Sequence, residues 1–215
     1  MIKGLLILII AYLIGSIPFG YIITKLSTRK NIFEIGWKKN SGSNVFKNVG
    51  RWQGALTFLL DVSKGFLVVC IPFYLGYSPL FQAFCGILAV IGHNWSCFIG
   101  FKGGRGLATL IGVILFMSPL VLFISLIPCI IFAIIWTASV GTLLSLLTAI
   151  IFSISIKGYG IIGILVIIAT IPIMIKRLSP IKDILKNPEN RELIENRLVF
   201  DQDTIPPLRI KRKKK

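Results

Sequence analysis

Residues 82–137 read QAFCGILAVIGHNWSCFIGFKGGRGLATLIGVILFMSPLVLFISLIPCIIFAIIWT, and this stretch decides the fold. It is an apolar run, a glycine-rich turn carrying Lys102 and Arg105, and a second apolar run, with no acidic residue anywhere in it. About 20 apolar residues suffice to cross a hydrocarbon core as a helix. The texture extends along the chain. Of 215 residues, 55% are hydrophobic and 15% charged, where a soluble domain carries roughly 25% charge. Mean hydropathy is +0.85. This composition excludes an ordinary soluble globule, a disordered chain and a disulfide-rich secreted scaffold. The expected fold is an all-α integral membrane protein.

Apolar runs place spans at 4–25, 54–76, 82–100, 106–118, 119–137, 139–156 and 158–175. The first run is read as a retained helix, because it is long and has no clear small-residue cleavage site. The stretch 106–137 has 32 residues, too long for one span and short for two. Ser118-Pro119 divides it, since a residue before proline avoids the α region. Seven spans is the reading and six the alternative. Residues 1–178 then form the transmembrane domain and 179–215 a basic cytoplasmic tail.

The net charge of +16 is unevenly spread. Seven cations lie from Lys25 to Arg51 against the single anion Glu34, and twelve lie from Lys176 to Lys215. Cations beside apolar spans mark cytoplasmic loops, which puts the N-terminus outside and the C-terminus in the cytoplasm. No folded soluble domain is left to bind nucleic acid, and the final basic run suits anionic lipid. Cys70, Cys85, Cys97 and Cys129 are scattered without metal-ligand or disulfide spacing. They read as small buried hydrophobes, and no metal site is expected.

Ionisable residues inside spans are costly and default to functional candidates. Asp61 and Lys64 share a helix face at i,i+3 spacing. Asp61 lies about 10 Å in from the cytoplasmic end of its span at 1.5 Å per residue, and His93, the only histidine, lies at a similar depth. A structural ion pair and a hydrogen-bonded helix contact are the plain readings of these residues. A shared polar cavity is the functional one.

Two loops have the chemistry of anion sites. Gly100-Phe101-Lys102-Gly103-Gly104-Arg105-Gly106 leads into a helix, and glycines let backbone amides converge on an anion beside the helix N-terminus. The spacing is not that of a Walker A loop. The second, Ser41-Gly42-Ser43-Asn44 running on to Asn48 and Arg51, offers hydroxyl, amide and guanidinium donors. Ser139 and Thr142 are a third candidate, with helix capping as the plainer reading. Two phosphate cradles at one interface suit two anionic reactants, one soluble and one bringing an acyl chain from the bilayer.

In order along residues 10–145, several blocks resemble the bacterial acyl-phosphate:glycerol-3-phosphate acyltransferases of the PlsY type. They are Tyr12-Leu13-Ile14-Gly15-Ser16-Ile17-Pro18-Phe19-Gly20, Ser41-Gly42 with Asn48 and Arg51, Leu60-Asp61-Val62-Ser63-Lys64-Gly65, Gly92-His93-Asn94-Trp95 and Phe101-Lys102-Gly103-Gly104-Arg105-Gly106-Leu107-Ala108-Thr109. The resemblance implies a seven-helix enzyme of the bacterial inner membrane with its active site facing the cytoplasm. It would pass an acyl group from acyl phosphate to the 1-hydroxyl of glycerol 3-phosphate, giving lysophosphatidic acid and phosphate. No cofactor, metal or obligatory protein partner is implied.

On this reading Ser41, Asn48 and Arg51 bind glycerol phosphate, with Lys102 or Arg105 assisting. Gly103 and Gly104 supply N–H groups to the leaving phosphate, and Ser139 and Thr142 assist. His93 orients a substrate or acts as base, with the substrate's own phosphate an equal candidate. Asp61 and Lys64 hold the scaffold as an ion pair. The chain departs from the family pattern in places. Asn40 replaces the first glycine of the first motif, Ser43 its first asparagine, and Val45, Phe46 and Lys47 replace Gly, Ala and Thr. Arg105 replaces a lysine, and the nearest match to the third motif, Pro180-Ile181-Lys182-Asp183-Ile184, lacks the histidine and has Asp183 for asparagine. These departures frame the alternative: a non-catalytic or altered-substrate relative acting as an anion carrier or lipid-binding protein.

Overall fold

The structure, a computed structural model, describes residues 2–180, 184 and 191–200. Asp183 and the basic stretch from 201 to 215 lie outside the described residues. The helices are α1 (Ile2–Ser16), α2 (Phe19–Thr28), α3 (Gly42–Asn48), α4 (Arg51–Tyr74), α5 (Pro79–Asn94), α6 (Leu107–Met117), α7 (Pro119–Ile135), α8 (Ala138–Ser155), α9 (Gly160–Leu178) and α10 (Arg191–Val199). No strand occurs among the described residues.

Four stretches are long and apolar enough to cross a membrane: Ile2–Thr28, Arg51–Tyr74, Ala138–Ser155 and Gly160–Leu178. Three more apolar helices, α5, α6 and α7, are shorter. The expected run 82–100 is cut at Asn94. Beyond it Ser96 caps a 3-10 turn, Cys97–Ile99, by accepting a hydrogen bond from Phe98 N at 3.3 Å. Gly100 then turns left-handed at φ 64°. The expected division at Ser118-Pro119 is present: Ser118 ends α6 in extended conformation, and its Oγ caps α7 by accepting from Val121 N. The first run is not one continuous helix, because Pro18 lacks the N–H that would carry it on. The loop expected between the first two spans contains α3, capped by Ser41.

Helices pack through small residues. Gly65 of α4 meets the Thr109 carbonyl of α6, and Gly112 of α6 meets the Val62 carbonyl of α4. Lipid gives helices no hydrophobic reason to associate, so close backbone approach supplies the packing. The opposite faces are apolar and exposed, as at Leu5 and Ile9 of α1 and Ile130 and Ile134 of α7. Thr137 Oγ1 donates to the Val199 carbonyl at 3.0 Å, so α10, inside the stretch read as a tail, packs back on the bundle.

Gly112→Val forces a side chain onto the Val62 carbonyl. Overpacking of this kind costs about 1–3 kcal/mol, so its thermal unfolding temperature in detergent falls clearly below wild type. Gly160→Ala, where an added Cβ meets nothing within 4 Å, leaves that temperature unchanged.

Candidate functional site

The site begins at the helix break. Where Pro18 interrupts α1 and α2, carbonyls that a continuous helix would consume become free to accept side chains. Ser96 Oγ donates to the Ser16 carbonyl at 2.6 Å, and Lys64 Nζ donates to the Ile17 carbonyl at 3.0 Å. Freed backbone groups in apolar surroundings have to be satisfied in this way.

Lys64 also reaches Asp61 Oδ1 at 2.8 Å and His93 Nδ1 at 2.9 Å. All three side chains are buried, with Asp61 1%, Lys64 2% and His93 4% exposed. The ammonium thus ties α4, α5 and the α1–α2 break together. A buried ion pair needs its remaining hydrogen-bonding groups matched, and the further donors of the ammonium meet the Ile17 carbonyl and His93 Nδ1.

His93 leads directly to the glycine turn. Its carbonyl accepts from Gly104 N at 3.1 Å. A Cβ on Gly104 would strike His93 Nε2 and the Asn40 carbonyl, and one on Gly103 would strike the His93 and Asn94 carbonyls. These glycines are required by close approach. Gly104, read from sequence as a phosphate donor, has already given its N–H to His93. What the pair supplies is room for the turn to press against α5 and the first loop. Asn40 N donates to the Gly103 carbonyl at 3.3 Å, so the two loops read as anion sites are joined.

Cations ring this junction. Lys102 is exposed, its Nζ 5.5 Å from the Phe33 ring centre, and Lys176 Nζ stands 5.1 Å from that of Trp95. Lys39 Nζ donates to the Lys176 and Arg177 carbonyls at 3.2 and 3.4 Å. Burial, and then the like charge of Arg177, push the Arg105 guanidinium below its ordinary pKa. A guanidinium keeps its proton regardless, so Arg105 holds a full positive charge at the turn.

The first-loop residues divide. Ser41 Oγ caps α3, accepting from Asn44 N at 3.3 Å, and lies 3.3 Å from Ser43 Oγ. Asn48 Nδ2 is turned inward to Asn44 Oδ1 at 2.9 Å. Arg51 opens α4 and is exposed, and its side chain makes no hydrogen bond to the described residues. It precedes Asp61 by ten residues, about 15 Å along the axis.

Ser139 and Thr142 both serve Arg177. Its Nη2 donates to Ser139 Oγ at 2.5 Å and its Nη1 to Thr142 Oγ1 at 3.2 Å. The same guanidinium donates to the Arg197 and Leu198 carbonyls, while Arg197 donates to the Leu178 and Pro180 carbonyls. Two arginines therefore clasp α10 to α9. Sequence reasoning had put Arg177 and Arg197 among loop cations; nothing in their local pattern sets them apart.

Asn94 is a candidate that the sequence reading did not single out. Its side chain is fully buried, its Oδ1 faces Gly106, and neither amide atom has a hydrogen-bond partner among the described residues. Its place beside His93 was the available signal.

The family model for glycerol-3-phosphate acyltransferase matches residues 5–187. Glycerol-3-phosphate acyltransferase 4 of Dehalococcoides mccartyi is 34% identical over 78% of this chain and 84% of its own length. Glycerol-3-phosphate acyltransferase of Streptococcus sanguinis is 40% identical over 76% of this chain and 74% of its own. Among solved structures, the glycerol 3-phosphate form of PlsY, an integral membrane glycerol 3-phosphate acyltransferase, superposes with TM-score 0.75 at 31% identity, covering 86% of this chain and 92% of that one. The lysophosphatidic acid form of the same enzyme gives TM-score 0.72.

A buried amide without partners costs roughly 1–3 kcal/mol until a ligand satisfies it. Asn94→Ala relieves that cost, so the unfolding temperature of the unliganded protein should hold or rise, while the rise that glycerol 3-phosphate produces should shrink, both read by differential scanning fluorimetry.

Proposed function

This chain belongs to the glycerol-3-phosphate acyltransferase family, and on that premise we propose that it transfers an acyl group from acyl phosphate to the 1-hydroxyl of glycerol 3-phosphate. The hydroxyl oxygen attacks the acyl carbon and a new ester C–O bond forms. The C–O bond to phosphate breaks, and the hydroxyl proton passes to a phosphate oxygen. Products are lysophosphatidic acid and inorganic phosphate. An acyl phosphate is already activated, so the protein needs no covalent nucleophile. It needs to hold two anions at attack distance and offset developing charge.

The observation that carries this reading is the Asn40–Gly103 hydrogen bond. It brings the Ser41–Arg51 segment and the cationic glycine turn to one end of the bundle, as a reaction between two phosphorylated molecules requires. Ser41, Asn48 and Arg51 receive glycerol 3-phosphate. Lys102 and Arg105, with the Gly103-Gly104 turn, receive the phosphate of the acyl donor. Ser139 and Thr142 act through Arg177, which they orient. No metal or cofactor enters the scheme, and the partners are the two substrates and membrane lipid.

In this reading the seven apolar segments all cross the bacterial cell membrane. The N-terminus is outside and the active site faces the cytoplasm, where the basic loops lie. Residues 1–178 form the catalytic domain and 179–215 a basic cytoplasmic extension, whose α10 is held by the arginine clasp.

Purified protein given acyl phosphate and labelled glycerol 3-phosphate should yield labelled lysophosphatidate. Anion flux in liposomes without any acylated product would instead establish the carrier alternative. In the same assay Arg51→Ala should lower kcat/KM by about 10- to 100-fold, the worth of a charge-assisted hydrogen bond. Unchanged kinetics would remove Arg51 from the substrate site.

A further inference from the structure

His93 has two ring nitrogens, and the structure gives them different surroundings. Nδ1 lies 2.9 Å from Lys64 Nζ and 3.4 Å from Asp61 Oδ1. Nε2 lies against Gly104 and has no hydrogen-bond partner among the described residues. The ring is buried at 4% exposure.

The proton can be assigned from donor arithmetic. An ammonium has three N–H donors and no acceptor. Lys64 has three neighbouring acceptors: Asp61 Oδ1, the Ile17 carbonyl and His93 Nδ1. A hydrogen bond between Lys64 and His93 therefore needs a bare lone pair on Nδ1. The converse arrangement, a neutral amine accepting from Nδ1–H, either leaves Asp61 as an uncompensated buried anion or moves the positive charge to the imidazole, a much weaker base than the amine. The arrangement with charged Asp61, charged Lys64 and neutral His93 sums to zero, and burial favours it strongly. A neutral imidazole with a bare Nδ1 carries its proton on Nε2.

We infer that His93 is a hydrogen-bond donor locked in the Nε2–H tautomer by Lys64, and that this N–H binds a phosphoryl oxygen of substrate at the glycine turn. This rests on the acyltransferase reading above and deepens it. His93 is then not the general base. Nε2 already carries the proton, and the one ring lone pair, on Nδ1, is occupied by Lys64; protonating it would make an imidazolium 2.9 Å from an ammonium, with only Asp61 to offset both. Lys64 and Asp61 become positioning residues: they fix which face of the ring donates. The unpartnered Nε2–H is a neutral donor among cations, so it adds direction to the phosphate site without adding charge.

Because His93 is the only histidine, protein labelled with [15N]histidine reports one imidazole. Wild-type protein should show a pyridine-like Nδ1 and a pyrrole-like, protonated Nε2. Inorganic phosphate and glycerol 3-phosphate, added separately, should move the Nε2 signal and leave Nδ1 nearly fixed; movement with glycerol 3-phosphate alone assigns the donor to that substrate. In Lys64→Met the proton should move to Nδ1, which then faces the carboxylate of Asp61 at 3.4 Å. In the wild-type protein, a proton on Nδ1, protons on both nitrogens, or an Nε2 signal unmoved at saturation by both ligands would overturn the inference. A wild-type protein that forms no lysophosphatidate yet shows these signals would defeat the acyltransferase reading and leave the tautomer standing.

Kinetics offer an independent check on variants whose unfolding temperature stays near wild type. Gln places an amide N–H near the Nε2 position and cannot act as a base. His93→Gln should keep kcat/KM within about tenfold of wild type, while His93→Ala should lose about 10- to 100-fold. Equal losses in both would speak for a base and against a donor.

Discussion

A buried ammonium needs three acceptors, and Lys64 is only 2% exposed. Lys64 draws them from three different parts of the chain: Asp61 one turn before it on α4, His93 on α5, and the carbonyl of Ile17 at the α1–α2 break. Each acceptor has its own reason to be there. Asp61 neutralises the charge, His93 offers a lone pair, and Pro18 interrupts the helix so that a carbonyl can turn toward a side chain. Remove any one and a charge is left partly unmatched in an apolar interior, which is among the costliest errors a fold can contain. The position of the first helix pair, of α4 and of the end of α5 thus depends on one nitrogen atom.

From that point the site is built outward in backbone. The His93 carbonyl receives Gly104 N, the Gly103 carbonyl receives Asn40 N, and Ser96 closes on both Lys102 and Ser16. Irregular backbone between apolar helices survives only when protein encloses it, and Gly103 and Gly104 are both buried. Their lack of a Cβ is what permits enclosure, since three carbonyls and a histidine ring occupy the space where side chains would stand. The shortness of α5 and α6 follows from the same geometry. Helical backbone ends early on both sides so that the turn can fold inward against the Lys64 network.

Much of the fold was legible because lipid imposes a simple rule on composition: apolar runs of helical length, divided by polar loops. The Ser118-Pro119 division could be read from one steric fact about proline. Asp61, Lys64 and His93 stood out because ionisable residues are rare in such runs. The break at Pro18 was less legible, since apolar residues flank it on both sides and hydropathy does not register a missing N–H. Asn94 was obscured for another reason: whether an amide is satisfied depends on distant partners. The glycine turn was read as a donor array, and only the three-dimensional contacts show Gly104 N already committed. Ser139 and Thr142 were visible as hydroxyls, but their partner Arg177 lies far along the chain among cations that look alike.

The same distinction explains how the first loop absorbs unusual residues. Val45, Phe46 and Lys47 stand where the related pattern has small ones, and in an extended cradle they would crowd a bound phosphate. Residues 42–48 are instead helical, so successive side chains point in different directions. Val45 enters the core with no exposure, Phe46 remains 47% exposed, and Lys47 reaches 5.4 Å from the centre of the Trp37 ring. The close contact on this helix is made by backbone: Gly54 of α4 lies against the main chain of Phe46. Bulk at 45–47 is thus directed into the core, outward and onto an aromatic face. The constraint falls on Ser41, whose Oγ caps the helix, and on Asn40, which fastens this segment to the glycine turn. The segment therefore holds its place by its N-terminal edge, and variation in the following turn leaves that edge intact.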